Sequence, residues 1–507
     1  MPTLAPLDLG VVAAYVLGMT LIGVWFTRRQ KDLKTYFVGG RDVGWFMVLM
    51  SIVATETSAV TFLSVPGLAY RTPGGNLTYL QLSFGYIVGR CLVAWLLLPL
   101  YMRGDLFSAY EVLRQRFGPA VQRVASGIFL LTRTVADGLR LFLTALLMQY
   151  IGVGVEAAVV LVGVVTIVYT YLGGMKAVIW TDLIQFVIKV SGAALAGVFV
   201  LHLLPGGWGR FVEVGEAAGK FQLFDFAHTT EPAFPFNFWA GVVGGAVFSM
   251  ASHGADQLMV QRYLCARSLA QARLALVLSG VTVTAQFLLF LLVGAGLFAL
   301  VHDGVFTLPA RGDGRGWKPD EMFGLFIVTQ LPTGIAGVLV AAVLAAAMST
   351  LSSSLNSSAN ALVTDFYKPL RPDRGERHYV LVSRVLTAVW GVAQMAVAVA
   401  AYRSGSSESV VAQVLKVAGL TTGLLLGLFV LGRMPTAVSS PAALVGLLAG
   451  FAAVLGVWLP EALGTPILAW PWFALVGTAA TVAVSLAAHA VIGPSHGPAP
   501  APPDRSP

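Results

Sequence analysis

Runs of about twenty apolar residues follow one another through almost the entire chain, and few folds can accommodate that. Their cores lie near 7–27, 44–70, 79–101, 122–150, 156–173, 178–204, 237–259, 272–302, 322–364, 379–402, 409–432, 437–459 and 470–491. A bilayer interior holds no water to satisfy a peptide group, so each run must close its own hydrogen bonds as a helix. The expectation is an all-α polytopic membrane protein with about thirteen transmembrane helices. Composition agrees: of 507 residues, 57% are hydrophobic and only 11% charged, which a water-soluble domain does not sustain. Two runs, 122–150 and 322–364, exceed a simple span and require tilt or extension into a loop.

The net charge of +8 reads as basic loops facing anionic lipid, not as a nucleic-acid surface. Nothing points to an obligate protein partner. Arg28, Arg29, Lys31, Lys34 and Arg41 follow the first run. Every second connection after it is basic again: Arg103, Arg114 and Arg116; Lys176; Arg262 and Arg267; Lys368, Arg371, Arg374 and Arg377; Arg433. The positive-inside rule then places the N-terminus outside and the C-terminus in the cytoplasm of a bacterial-type inner membrane. The first run lacks a basic n-region and is expected to span the membrane, not to be cleaved. Residues 205–236 mix aromatic and charged side chains, as an interfacial helix or lid would. The proline-rich tail 493–507 is expected to be disordered. Cys91 and Cys265 give neither a disulfide framework nor zinc spacing.

Polar residues inside the apolar runs are costly and so mark candidate sites. Seven hydroxyl side chains fall between Ser349 and Ser358. On a helix, Ser349, Ser352, Ser353 and Asn356 share one face. Singly, such residues more often bond back to their own helix. Together, neutral oxygens suit a monovalent hard cation, whereas calcium and magnesium recruit carboxylates. Arg133, Asp137 and Arg140 share a face of the fourth run, either as a structural Arg–Asp–Arg cluster or with one guanidinium free for a carboxylate. Asp182 and Lys189 also lie on one side of their helix, either as an ion pair or with Asp182 completing a cation site. The polar stretch Ala54–Ser58, followed by Pro66-Gly67, suggests a locally broken helix whose freed carbonyls can coordinate a cation. Glu56 within it needs a partner or a proton. The glycines 241, 244 and 245 could allow a matching break in the second half, or simply close packing. His253 reads as a satisfied interior histidine. Without a P-loop, paired catalytic carboxylates or metalloprotease spacing, an enzyme is not indicated.

These stretches resemble the sodium/solute symporters, a family that carries sugars, proline, sialic acid, iodide, vitamins and monocarboxylates. The resemblance is carried by Ser58-Ala-Val-Thr-Phe-Leu-Ser-Val-Pro-Gly67, Gly173-Gly-Met-Lys-Ala-Val-Ile-Trp-Thr-Asp-Leu-Ile-Gln185, Asp256-Gln257 with Gln261-Arg262, and Ala347-Met-Ser-Thr-Leu-Ser-Ser353 leading to Thr364-Asp-Phe-Tyr367. It extends to about residue 435. The resemblance implies a leucine-transporter-like 5+5 inverted-repeat core. The chain would divide into 1–43 (first span and basic loop), 44–204 (first repeat), 205–236 (external loop), 237–432 (second repeat), 433–492 (two further spans) and the tail 493–507. It also implies Na+ as coupling ion. One sodium would be held by carbonyls of Ala54, Thr57 and Ala346 and hydroxyls of Ser349 and Thr350. A second would lie among Asp182, Ser349, Ser352 and Ser353. Solute contacts would come from Thr55, Glu56, Ser58, Thr61, Gln81 and Phe84, with Arg133, Asp137 and Arg140 as further candidates. Glu56 departs from the family's usual small or neutral residue, and Lys189 and Lys416 add further intramembrane charge.

The expected function is therefore sodium-coupled symport of a small organic solute, a carboxylate, a sugar or similar, by alternating access. A proton-coupled transporter of the same fold is the alternative. A transporter-like sensor is less favoured, because no signalling domain follows the last span.

Overall fold

A computed structural model describes residues 4–26, 32–104, 106–149, 152–309, 316–404 and 410–493, without the side chains of Phe26 and 410–416. Arg28, Arg29, Lys31, Arg311, Arg315, the side chain of Lys416 and the tail from 494 lie outside the described residues. Within them the chain is helical, with only an isolated bridge between Val43 and Ala266.

The helices used below are α1 (Pro6–Phe26), α2 (Trp45–Glu56), α3 (Ala59–Tyr70), α4 (Leu80–Leu96), α5 (Pro119–Gln149), α6 (Val155–Leu203), α7 (Gly207–Ala217), α8 (Gly245–Gly254), α9 (Gln257–Leu264), α10 (Leu269–His302), α11 (Pro319–Gln330), α12 (Ile335–Leu362), α13 (Glu376–Ser404), α14 (Val410–Arg433), α15 (Ser440–Ala462) and α16 (Phe473–Ile492). Among the described residues, seven helices are long and apolar enough to cross a membrane, or eight if α2 and α3 form one bent span. The runs do not resolve into thirteen separate helices. Runs five and six are two helical stretches within the α6 range, meeting at a kink where Gly174 takes a positive φ of 58°. Run nine is two helices, because the Pro332-Thr333-Gly334 turn separates α11 from α12.

The second run breaks as expected, at Thr57–Ser58, and Pro66 lies inside α3. Thr57 leaves helical geometry, Ser58 is extended and caps α3, and the two halves bend by 65°. A second break falls in the seventh run. A π-helical segment Ala240–Gly244 leads into α8, the helix stops at Ala255, and Asp256 restarts it as the N-cap of α9, accepting from the Leu258 N–H at 2.9 Å. A carboxylate suits that position because it satisfies otherwise unpaired amides.

Helices in lipid gain little from hydrophobic association, so close packing of small residues holds them. A methyl group at Gly294 of α10 would overlap the carbonyl of Pro66 in α3, whereas one at Gly10 of α1 would meet nothing within 4 Å. Gly294→Ala is accordingly expected to cost about 1–3 kcal/mol through overpacking. It should lower the melting temperature of the purified protein, while Gly10→Ala leaves it in place. Equal melting of the two variants would contradict this packing.

At the start of α12, Asp8 of α1 accepts the backbone N–H groups of Gly334 at 2.6 Å and Gly337 at 2.8 Å. The carboxylate is 3% exposed and stands where the helix dipole favours negative charge.

The 205–236 segment does contain a helix, α7. Arg210 of α7 forks onto Asp303 with two bonds of 2.8 Å, and Lys220 donates to the carbonyls of Ala69, Tyr70 and Arg71 at the end of α3. Further along, His228 Nδ1 lies 2.8 Å from Asp225 Oδ2, and that hydrogen bond holds the imidazole above its ordinary 6.5. A raised folded value means that the fold binds the proton more tightly than the unfolded segment does. Its stabilisation is therefore complete below pH 6.5 and is lost as pH rises through the folded value. Limited proteolysis within 219–236 should speed up as pH rises from acid to neutral, and His228→Gln should flatten that profile.

Candidate ion and solute site

The break at Thr57–Ser58 frees the last carbonyls of α2 from their helix. α12 supplies the partners: Ser349 Oγ donates to Ala54 O at 2.9 Å and Thr350 Oγ1 donates to Thr55 O at 2.9 Å. Both hydroxyls also bond back to Ala346 O, at 3.2 and 3.3 Å. The structure thus brings Ala54, Thr57, Ala346, Ser349 and Thr350 to one place. At their centre is Lys189 of α6, fully buried, with Nζ donating to Ala54 O at 2.5 Å, Thr57 O at 3.0 Å and Ser349 Oγ at 3.2 Å.

Asp182 does not pair with Lys189, the lysine being drawn instead to the freed carbonyls. Its ion partner is Arg262 of α9, 3.3 Å from Oδ2, and the same oxygen accepts from Ser51 Oγ at 2.5 Å and Thr55 Oγ1 at 3.4 Å. Arg262 also donates to Thr55 Oγ1, Ser353 Oγ, Ser51 O and Leu258 O, so one buried guanidinium ties α9 to α2 and α12. Ser352 Oγ donates to Ser349 O at 3.2 Å. Asp182 Oδ1 is buried with no hydrogen-bond partner. A carboxylate oxygen left in this way is expensive, and a small cation beside it would remove the cost.

A cavity of about 170 Å³ opens next to the break. Of the solute candidates, Thr55, Glu56, Ser58, Thr61, Arg133 and Arg140 line it. Asp137 faces a small adjoining cavity with Ser58, Arg140 and Thr350. Gln81 and Phe84 lie elsewhere. The Gln81 amide bridges Thr78 O, Phe236 O and the Asp225 N–H, and Phe84 stacks on Phe224 with ring centres 6.0 Å apart.

Each ionic group of the cavity has its own counter-ion. Glu56 is held by Arg90 of α4, whose Nη2 donates to both carboxylate oxygens at 2.6 and 2.5 Å while Nη1 donates to Ser279 Oγ at 2.6 Å. His253 Nε2 stands 3.6 Å from Glu56 Oε2, and its Nδ1 is 3.0 Å from Ser252 Oγ. Arg140 pairs with Asp137, and Arg133 pairs with Asp256 at the second helix break and lies 3.7 Å from Asp137. The Arg–Asp–Arg cluster expected from helix spacing is present, extended by Asp256. Sequence reasoning missed Arg90, although it is the single charged residue of its apolar run and cost alone should have marked it. It also missed the aromatic walls Tyr79, Tyr86, Phe248 and Phe287.

The family profile described as sodium:solute symporter family matches residues 36–450. The human sodium/iodide cotransporter is 32% identical over 477 residues, covering 92% of this chain and 71% of that protein. The sodium/sialic acid symporter NanT of Aliivibrio fischeri is 31% identical over 452 residues, covering 88% of this chain and 86% of the relative. Human sodium-coupled monocarboxylate transporter 1 is 29% identical over 466 residues, covering 91% and 74%. A solved Na+-coupled sialic acid symporter, substrate-bound and outward-open, superposes with a TM-score of 0.86 at 28% identity, covering 97% of this chain and 99% of that one. Mhp1, a nucleobase-cation-symport-1 transporter, shares the fold at a TM-score of 0.56 and 15% identity, covering 90% and 94%.

Proposed function

The chain belongs to the sodium:solute symporter family, and we propose that it carries a small organic anion, a carboxylate being the simplest, through the cavity between α2–α3, α5 and α8–α9. It is a multi-pass membrane transporter and not an enzyme, with Na+ as coupling ion. The observation that carries the solute assignment is the pair of guanidinium groups, Arg133 and Arg140, on the cavity wall. Arg140 spends one nitrogen on Asp137, and a planar fork retains further donors for a carboxylate. The relatives named above carry solutes of that charge type: iodide, sialic acid and monocarboxylates are all anions at neutral pH. The aromatic walls would hold the apolar body of such a solute.

Of the two oxygen sets expected to hold sodium, the second is the one that keeps a free acceptor, Asp182 Oδ1, although Arg262 donates to its Ser353 Oγ and stands 3.3 Å from Asp182 Oδ2. That carboxylate oxygen, with the hydroxyls of Ser352 and of Ser349, the latter also accepting from Lys189, would suit a monovalent ion. The set formed by Ala54, Thr57, Ala346, Ser349 and Thr350 already surrounds an ammonium. Sodium moving down its gradient supplies the free energy of transport. The side chains couple to it because Asp182, Thr55, Ser353 and Arg262 join the bend in α2–α3 to α9 and α12. A change at that junction shifts the cavity walls that belong to those helices.

The broken pairs α2–α3 and α8–α9 would open the two inverted repeats, 44–204 and 237–432. Segments 1–43, 205–236, 433–492 and 493–507 would then lie outside the repeated core. The orientation with N-terminus outside and C-terminus cytoplasmic, in a bacterial-type inner membrane, is supported by contacts among the basic connections. Arg41 donates to Gly104 O and Leu106 O, Lys176 pairs with Asp42, Arg267 donates to Asp42 O, and Arg116 donates to Met434 O and Thr436 O. The connections that the positive-inside rule assigns to the cytoplasm therefore gather at one end of the bundle.

Purified protein in liposomes tests the reading. An inward sodium gradient should drive accumulation of labelled sialic acid or of a short monocarboxylate, and a potassium gradient of the same size should not. Uptake equal under the two gradients would remove sodium as the driving ion. Sodium-driven uptake of neutral sugars in preference to every organic anion would remove the solute assignment.

A further inference from the structure

The carbonyl cage at the bend of α2–α3 has the composition of an ion site, and a side chain is already in it. We propose that Lys189 is a tethered cation that takes the place of one coupling sodium, leaving this transporter with a single sodium position, at Asp182. The second half of that statement rests on the sodium reading given above.

Three observations carry it. The first is saturation. An ammonium has three N–H donors, and Lys189 has three acceptors: Ala54 O, Thr57 O and Ser349 Oγ. A lysine buried in this way is tolerable only when every donor is met. The second is identity of position. All three acceptors belong to the set expected to ligate the first sodium, so ion and ammonium would compete for the same oxygens at the same point. The third is charge. The groups that Nζ meets, from the end of α2 and from α12, are two carbonyls and a hydroxyl, and the neighbouring carboxylates have their own counter-ions, Asp182 Oδ2 facing Arg262 and Glu56 facing Arg90. Nothing in the cage offsets a further positive charge.

The consequence is mechanical as well as stoichiometric. A diffusible ion joins the bent span to α12 only while it is bound. Lys189 is covalently part of α6, so it joins α6 to the end of α2 at the bend and to α12 whether or not sodium is present. The bend is preorganised for solute without that first ion, and the helices separate there only by pulling the lysine out of its cage.

Equilibrium binding of radiolabelled sodium to the purified chain counts the ions. The wild type should bind one per chain. Lys189→Met, which keeps length and removes charge, should bind a second, and its melting temperature should rise more in sodium over potassium than the wild type's does. Two ions per wild-type chain, or an unchanged count in well-folded Lys189→Met, would overturn the proposal. If Lys189→Met does not fold, Ser352→Ala decides, because Ser352 belongs to the Asp182 set alone. A loss of sodium affinity of at least about tenfold places the single ion at Asp182, and unchanged affinity returns it to the carbonyl cage and overturns the idea. A wild type that binds no sodium, with one ion gained in Lys189→Met, upholds the tethered cation and sinks the Asp182 assignment instead.

Discussion

Arg90→Met should abolish uptake and cost about 3–5 kcal/mol of stability, the range for removing one partner of a buried pair. The guanidinium is fully buried and the Glu56 carboxylate only 15% exposed, so solvent does not screen what remains. Without Arg90, Glu56 keeps only the edge of His253, at 3.6 Å, and either takes a proton or draws in water. Either outcome deforms the cavity wall, because Glu56 is the last residue of α2 before the bend. The double variant Arg90→Met/Glu56→Gln should recover much of the lost stability, since neither charge is then stranded. Thermal melts of the three proteins in one detergent make the comparison. A single variant that melts with the wild type, or a double variant no better than the single, would show that the pair is not what holds this wall.

Asp182→Asn should remove the difference between melting in sodium and melting in potassium. A ligand that binds only the folded protein stabilises it by mass action, and an amide does not replace a carboxylate as counter-charge to the ion. The variant should also lose about 3–5 kcal/mol in either salt, because Arg262 is left without its anion at 1% exposure. The two effects separate cleanly: the second is common to both cations, the first is their difference. An Asp182→Asn protein that keeps the full sodium effect would place the ion somewhere other than the Asp182 corner.

How much of this was readable in the sequence depended on whether one helix was enough. Arg133, Asp137 and Arg140 were legible as a cluster because their spacing alone puts them on one face. The weakness of the second run was legible in the polar density of Ala54–Ser58. The break falls at the end of that stretch, at Thr57–Ser58, whereas Pro66 is accommodated within α3. Partnerships between helices were invisible. Glu56 was expected to need a partner or a proton, and the partner is Arg90, a choice set by how α4 packs against the bend. Lys189 shares a face with Asp182 and still turns to another partner, because the unpaired carbonyls of a broken helix exist only once the fold has formed. The solute candidates Gln81 and Phe84 sit on α4 with the cavity residues in sequence, but their side chains are claimed by the 205–236 segment.

The grip of Asp8 on α12 decides which parts of the molecule can slide. Its carboxylate takes two amides at the start of the helix that carries the hydroxyl stripe, in a place too buried for water to substitute. Any axial shift of α12 that left α1 behind would strand all three groups at once. A shift of α12 along its axis would therefore carry α1 with it.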